Sequence, residues 1–573
     1  MTAAMTVAKE RQLDWLLGEV LGGETPFAAR PTTGHAVHGV SRRHWLAAAL
    51  VVAAAGAALG TALLRDEPTD QGPVQEPEPP IVWHEAHGPG SVASIPADVV
   101  NLRCFDFDDE ALQHMKHFAK LERLDLSGMD VNEKGYSVSL PITDAGIEHL
   151  AGVPNLRWLS IATCHKVKGT GLRVLEAMPL LEHLDLTYSG VETLAVERLP
   201  RLAALRSLVL SSCLNFHGRA LAEVAKIPGL RRLELRACPT LSAADVMHLS
   251  KLSELRHLDL RDCQGRFRGQ RAGIAQLDDV TNAPAEPELD PTDPGTPKPP
   301  PRPVEDRVGI TDASVAALAG LKLESLLLGG SESLTDAIGE TLARMPTLRH
   351  LDLSNLPKTT QALLAKVPGG LESLALDQNS QFVEGTLREL PKLASLRELG
   401  LAGVPSVQAD NLPSLLDGKS LHVLRLGGVM PKGKAAAVFQ QHMKTVLNAA
   451  AGAVVAGQRE LRRLELVGST SLDAGFLREL AKLPLLAELD LTASSAGSAE
   501  TMTPLASCRA LRSLKLMWCK SLDLAGLKAL AKAPLQQLDL YGTTLKPDDV
   551  REVAKAWPGC VIKMPNGQRW RCP

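Results

Sequence analysis

Residues 205–238 read LRSLVLSSCLNFHGRALAEVAKIPGLRRLELRAC. The stretch opens and closes on one phrase, LxxLxL, at Leu205 and Leu230, and a cysteine follows the phrase each time, at Cys213 and Cys238. On an extended strand the second and third leucines point to one side while the residues flanking them point to the other. The segment LAEVAKIPGL has helical spacing and closes on a proline, which cannot continue a helix. One unit is therefore strand, loop and helix, and the next strand follows at once.

The same phrase recurs on both sides of this stretch. It starts at Leu121, Leu156, Leu181 and Leu255, and again at Leu323, Leu348, Leu371, Leu396 and Leu421. Further copies start at Leu461, Leu486, Leu511 and Leu535, and a degenerate copy, VVNLRC, starts at Val99. Most intervals are 23 to 25 residues. A unit so small cannot bury its own apolar side, so the units must stack on one another. A right-handed crossover between successive strands places a parallel sheet on a concave face and helices on a convex one. Thr143-Asp144, Thr311-Asp312 and Thr335-Asp336 supply helix N-cap chemistry at one phase of the repeat.

These residues resemble the leucine-rich-repeat family, and within it the cysteine-containing subclass. The third residue after the strand is Cys or Asn in that pattern, and Cys164, Cys213, Cys238, Cys263, Cys519 and Asn379 stand there. The phrase ITDAGIEHL around Ile142 is also typical of it. The resemblance covers roughly residues 97–560 and implies an α/β right-handed solenoid, a horseshoe that binds proteins. In eukaryotes the subclass often carries an F-box that docks ubiquitin ligases. No F-box pattern precedes these repeats, which disfavours an adaptor of that type.

Three inserts break the period. The interval from Leu121 to Leu156 is 35 residues and includes MDVNEKGYSVS. That from Leu255 to Leu323 is 68 and includes a Pro-rich run expected to be disordered. That from Leu421 to Leu461 is 40, and KAAAVFQQHMKTVLNAAAGAVV suggests a longer helix. The chain thus divides into repeats over 97–263, an insert over 264–308, repeats over 309–560 and a cap or tail over 561–573.

Before the repeats, Trp45 to Leu64 is a run of twenty residues without a charge. As a helix it would span roughly 30 Å, the thickness of a bilayer's hydrocarbon. Arg30, Arg42 and Arg43 precede it and Arg65, Asp66 and Glu67 follow. The positive-inside rule then keeps residues 1–44 in the cytoplasm and exports the repeats. The reading is a single-pass signal anchor over 45–64 and a Pro-rich linker over 65–96. Gly56 and Gly60 form a GxxxG pair that predicts weak homodimerisation of the anchor. Leu13, Leu16, Leu17, Val20 and Leu21 share one face of a short amphipathic helix. Alanine, glycine, arginine and leucine dominate the composition, and with the one-pass anchor they point to a bacterial protein.

Composition excludes several classes. A net charge of −3 gives no basic stripe for nucleic acid, and 3% aromatics offer few stacking platforms. The nine cysteines show no metal-ligand spacing. His84-Glu85-Ala86-His87 misses the HExxH spacing by one residue and reads as a polar loop. No catalytic motif appears, so the chain is expected to be a non-enzyme without a cofactor. Cys560 and Cys572 fall outside the repeat phase. Two readings stay open for them, a disulfide-closed cap and two free thiols in a frayed tail.

The leading expectation is a membrane-tethered scaffold that recognises a protein ligand through the concave face or the insert rim. The alternative is a transmembrane regulator that couples an external ligand to a cytoplasmic partner at residues 1–44. The strands RLELR and HLDLR put Arg232, Glu234, Arg236, His257, Asp259 and Arg261 side by side as a candidate ligand patch. The strands near Leu371 and Leu396 show Ser373, Ala375, Gly400 and Ala402, which offer little to grip. Ion pairing that keeps the sheet soluble is the competing account of the charged patch.

Overall fold

The computed structural model describes residues 82–127, 129–131, 137–263, 309–382, 387–428 and 447–573. The anchor at 45–64, the Gly56/Gly60 pair, the amphipathic segment and the insert at 264–308 lie outside the described residues. Among the described residues no helix is long and apolar enough to cross a membrane.

Among the described residues nineteen strands form one sheet. Each pairs in parallel with the next repeat's strand, and only the last pair, Val561–Lys563 with Arg569–Arg571, is antiparallel. The second leucine of every LxxLxL copy meets its counterpart in register, as in Leu208↔Leu233, Leu233↔Leu258 and Leu374↔Leu399. These leucines are fully buried. The sheet also crosses the long insert unbroken, because His257–Asp259 pairs directly with Ser325–Leu327.

Most strands are only three residues long, because the chain turns sharply just after the second inward leucine. One residue at that phase adopts the left-handed conformation, for example Ala237 (φ 55°), Gln378 (φ 64°), Trp518 (φ 58°) or Gly403 (φ 76°). Its N–H donates to the carbonyl of the next repeat: Ala237 to Arg261 at 2.8 Å, Gln378 to Ala402 at 2.7 Å. The turn thus satisfies backbone that the short strand leaves over.

The next position is the cysteine or asparagine of the motif, and its purpose is now visible. The thiols of Cys213, Cys238, Cys263 and Cys519 each donate to the carbonyl of the last inward leucine one repeat back, at 3.0–3.1 Å. Asn379 does this better. Its amide donates to Leu353 O at 2.8 Å and its carbonyl accepts from Leu356 N at 2.8 Å. Burial pushes the thiols of Cys164, Cys213 and Cys263 up to about 12. They are unreactive structural donors.

On the helix side, the threonine caps also connect repeats. Thr335 accepts from Ala337 N at 3.2 Å, and its own N–H and hydroxyl donate to Asp312 at 2.9 and 2.6 Å. Asp336 holds Thr360 in the same way, at 2.7 and 2.6 Å. Thr143 and Thr311 cap their helices, whereas the helix Ile338–Leu342 takes Ala337 as its N-cap without a side-chain bond, so Thr335-Asp336 ties neighbouring repeats together rather than capping its own helix.

Both ends and two inserts refine the sequence reading. The sheet begins inside the segment expected to be a linker. His84–His87 is not a polar loop but a strand paired with Asn101–Phe105, with Ala86 buried. It carries no leucine and stands closer than one period to the next strand, so the repeat pattern misses it. The first insert is a hairpin, Met129–Val131 against Ser137–Ser139. In the third, the described helix is Ala449–Ala456, capped by Asn448. The tail is an ordered hairpin rather than frayed chain, and Cys560 and Cys572 are both buried within it.

Candidate binding surface

The residues flanking each inward leucine line the outer face of the sheet in columns. The column before the central leucine runs Trp158, His183, Ser207, Arg232, His257 across five consecutive strands. At about 4.8 Å per strand this row extends about 19 Å. The column after that leucine reads Ser160, Asp185, Val209, Glu234 and Asp259 over the same span, three acids among five.

The six residues singled out from sequence do come together. Arg232 faces His257 and Glu234 faces Asp259 in register. They bind one another first. Arg232 Nε donates to Glu234 Oε1 at 2.7 Å, within the same strand. Arg261 grips Asp259 through Nε and Nη2, the latter at 2.7 Å, and approaches Asp352 at 3.8 Å. Arg236 meets Asp262 at 3.4 Å. The shortest pairings run along a strand, between residues two apart on one face, while Arg236–Asp262 crosses to the neighbouring repeat and Arg261–Asp352 to the one beyond it. Burial pushes the Glu234 carboxyl up to about 7 against the pull of Arg232, and Asp259 adds to the rise. His257 is lowered, chiefly by burial and then by Arg232.

Every repeat thus presents its leucines inward at one register and ties its turn to the repeat beside it. The fold is a leucine-rich-repeat solenoid. No family model matches the chain and no curated protein matches it. Among solved structures, the solenoid is similar to an internalin of Listeria monocytogenes at 17% identity, covering 71% of this chain and 88% of that one, with TM-score 0.34. It is also similar to a leucine-rich-repeat protein of Leptospira interrogans at 16% identity, covering 81% and 90%, with TM-score 0.32. A third is the yeast Rad7 and Elc1 complex, at 17% identity, covering 67% and 86%, with TM-score 0.41.

At the N-terminal end of the solenoid's sheet lies a cluster that sequence reading missed. Trp158 stacks on His183 at 5.2 Å and meets Trp83 edge-on at 5.6 Å. Arg103 lies over the Trp83 ring at 4.9 Å and pairs with buried Asp125 at 3.0 Å. His183 also shares a hydrogen bond with Ser207 at 2.8 Å, and burial holds it down to about 3, so its ring is neutral. Trp158 and His183 were legible as outward strand positions. Trp83 was not, because its strand lacks the leucine phrase. A low overall aromatic content also hid how tightly these few rings are grouped.

The middle of the solenoid differs. Arg425 reaches past Gly400 to Asp377 at 2.8 Å. A Cβ on Gly400 would collide with both partners, at 2.3 and 2.5 Å. The small residues there make room for an ion pair, which the sequence reading did not foresee. Farther along, Trp518 and Tyr541 meet edge-on at 5.2 Å, each under a lysine, Lys520 and Lys563.

Proposed function

We propose that this chain is a non-enzymatic binding scaffold that takes a protein ligand on the outer sheet face, along the row from Trp158 to His257. One observation carries the reading: tryptophan, histidine and arginine, with a serine among them, stand in register over about 19 Å of rigid sheet. Tryptophan and arginine are favoured at binding hot spots because they bring large, preordered contact area. Here hydrogen bonds and stacking hold His183 and Arg232 in place before any ligand arrives, which lowers the entropy cost of binding.

In this proposal residues 45–64 anchor the chain in a membrane, with residues 1–44 cytoplasmic and the solenoid exported. The uncharged run and its flanking arginines support that orientation. A reporter fused after Asp70 should be active only outside the cytoplasm; activity confined to the cytoplasm would refute it.

The binding surface is tested in the full-length protein in its own host, with a photoreactive residue replacing Ser207. A discrete protein adduct should form there and fail to form from the same residue at Glu340, on the helix side. Adducts of equal yield from both positions, or from Glu340 alone, would overturn the assignment.

A further inference from the structure

The sheet ends in a hairpin whose two strands, Val561–Lys563 and Arg569–Arg571, pair as Val561↔Arg571, Ile562↔Trp570 and Lys563↔Arg569. One step outward, the same register sets Cys560 opposite Cys572. The backbone confirms it: Cys572 N–H donates to Cys560 O at 2.9 Å, and Gly559 N–H to Cys572 O at 3.1 Å. Directly opposed residues of an antiparallel pair have Cα atoms about 4.5–5.5 Å apart. That falls within the span of about 4.4–6.8 Å that a disulfide requires. Both side chains are buried, at 1% and 3% exposure, so they lie on the core side of the hairpin.

The cysteines of the motif are held otherwise. Cys213, Cys238 and Cys263 sit at equivalent positions of successive repeats, and each thiol is aimed at a backbone carbonyl. Neighbouring strands keep such equivalent atoms about 4.8 Å apart, more than twice the sulfur–sulfur bond length.

We propose that Cys560 and Cys572 form a disulfide that closes the C-terminal hairpin over the end of the solenoid core. The bond forms by exchange with a small-molecule disulfide. The Cys560 and Cys572 thiols give up two protons and two electrons, one sulfur–sulfur bond forms between them, and the oxidant's own bond breaks to give two thiols. The hairpin is where such a bond matters most. Its outer strand, Arg569–Arg571, is one of the two edge strands of the sheet among the described residues, the other being His84–His87. A covalent link keeps that strand from peeling away and exposing Val561–Lys563 as a template for another strand. The bond does not depend on which ligand the sheet face binds.

The test uses full-length protein in detergent, treated with oxidised glutathione under native conditions and compared with reduced protein. The intact mass should fall by that of two hydrogens. After unfolding, alkylatable thiols should drop from the nine of the sequence to seven, and peptide mapping should join Cys560 to Cys572. The oxidised form should also keep its tail longer under protease and melt several degrees higher. A Cys572→Ser variant should lose the mass change while the other thiols stay unmodified. Stable glutathione adducts at either cysteine without the internal bond, a bond to Cys213, Cys238 or Cys263, or nine unchanged thiols would each overturn the proposal.

Discussion

The strands from Trp158 to Asp259 and those from Ser373 to Arg425 share one interior and carry opposite faces. Inside, both present the same leucine ladder in register and the same left-handed turn. Outside, the first displays Trp158, His183 and Arg232, while the second displays Ser373, Ala375 and Gly400 around a half-buried ion pair. The interior is therefore interchangeable between repeats, and the face is where one region is distinguished from another.

Interior substitutions should accordingly cost the same in both regions. Leu233→Ala and Leu399→Ala each remove a fully buried leucine and should each lose about 2–5 kcal/mol, read by denaturant unfolding. A loss below about 0.5 kcal/mol in either would place that strand out of register, since surface substitutions fall in that range.

The faces should differ in their response to pH. Glu234 has a folded pKa near 7 against an ordinary value of 4.5, so the folded state holds a proton that the unfolded chain has lost. Its contribution is fully present below about pH 4.5 and lost as pH rises through 7, amounting to roughly 3 kcal/mol at most. Glu234→Gln should flatten that part of the melting-temperature profile. Asp185, Asp377 and Glu465 are also raised by burial and should leave a residual slope. A profile unchanged by Glu234→Gln would mean the carboxyl is ionised throughout.

The motif's donor position separates the regions more finely. Asn379→Ala strips two buried hydrogen bonds and should cost about 1–3 kcal/mol for each backbone group left unmet. Cys238→Ala strips one weak thiol donor and should cost about 1 kcal/mol. Equal losses would show that the thiol is no poorer a donor than the amide.

Turn substitutions should go in opposite directions. Ala237 pays a steric cost in its left-handed conformation, so Ala237→Gly should stabilise by about 1 kcal/mol. Gly403→Ala, at the same phase, should destabilise by a similar amount. Thermal unfolding of the two variants decides it, and a shift of one sign in both would contradict the shared turn.

Much of this was legible because a period-two strand fixes which side chains face in. The leucine phrase set the register of Leu124 to Leu538, the family resemblance placed the motif cysteines, and the Thr-Asp dipeptides marked the caps at Thr143 and Thr311 but not one at Thr335. The strand at His84–His87 escaped because it has neither leucine nor period, and Trp83 escaped with it. The charged patch was legible as a location but not as a network. Sequence spacing shows that Arg232 and Glu234 share a face, while only side-chain geometry shows that they satisfy each other. The Asp377–Arg425 pair was invisible for the same reason, since it spans two strands across a missing side chain.

Ser207 and Ser373 offer the most direct test of what the two faces do. Both stand in the column before the central leucine, both are half-buried, and each hydrogen-bonds a neighbour, His183 at 2.8 Å and Glu398 at 3.0 Å. Replacing either with Trp adds the same bulk to the sheet face without touching the core. In the full-length protein, with the partner captured at Ser207 as ligand, Ser207→Trp should weaken binding at least tenfold, about 1.4 kcal/mol. Ser373→Trp should leave affinity unchanged. Equal affinity in both variants, or a loss confined to Ser373→Trp, would contradict a ligand row at Trp158 to His257.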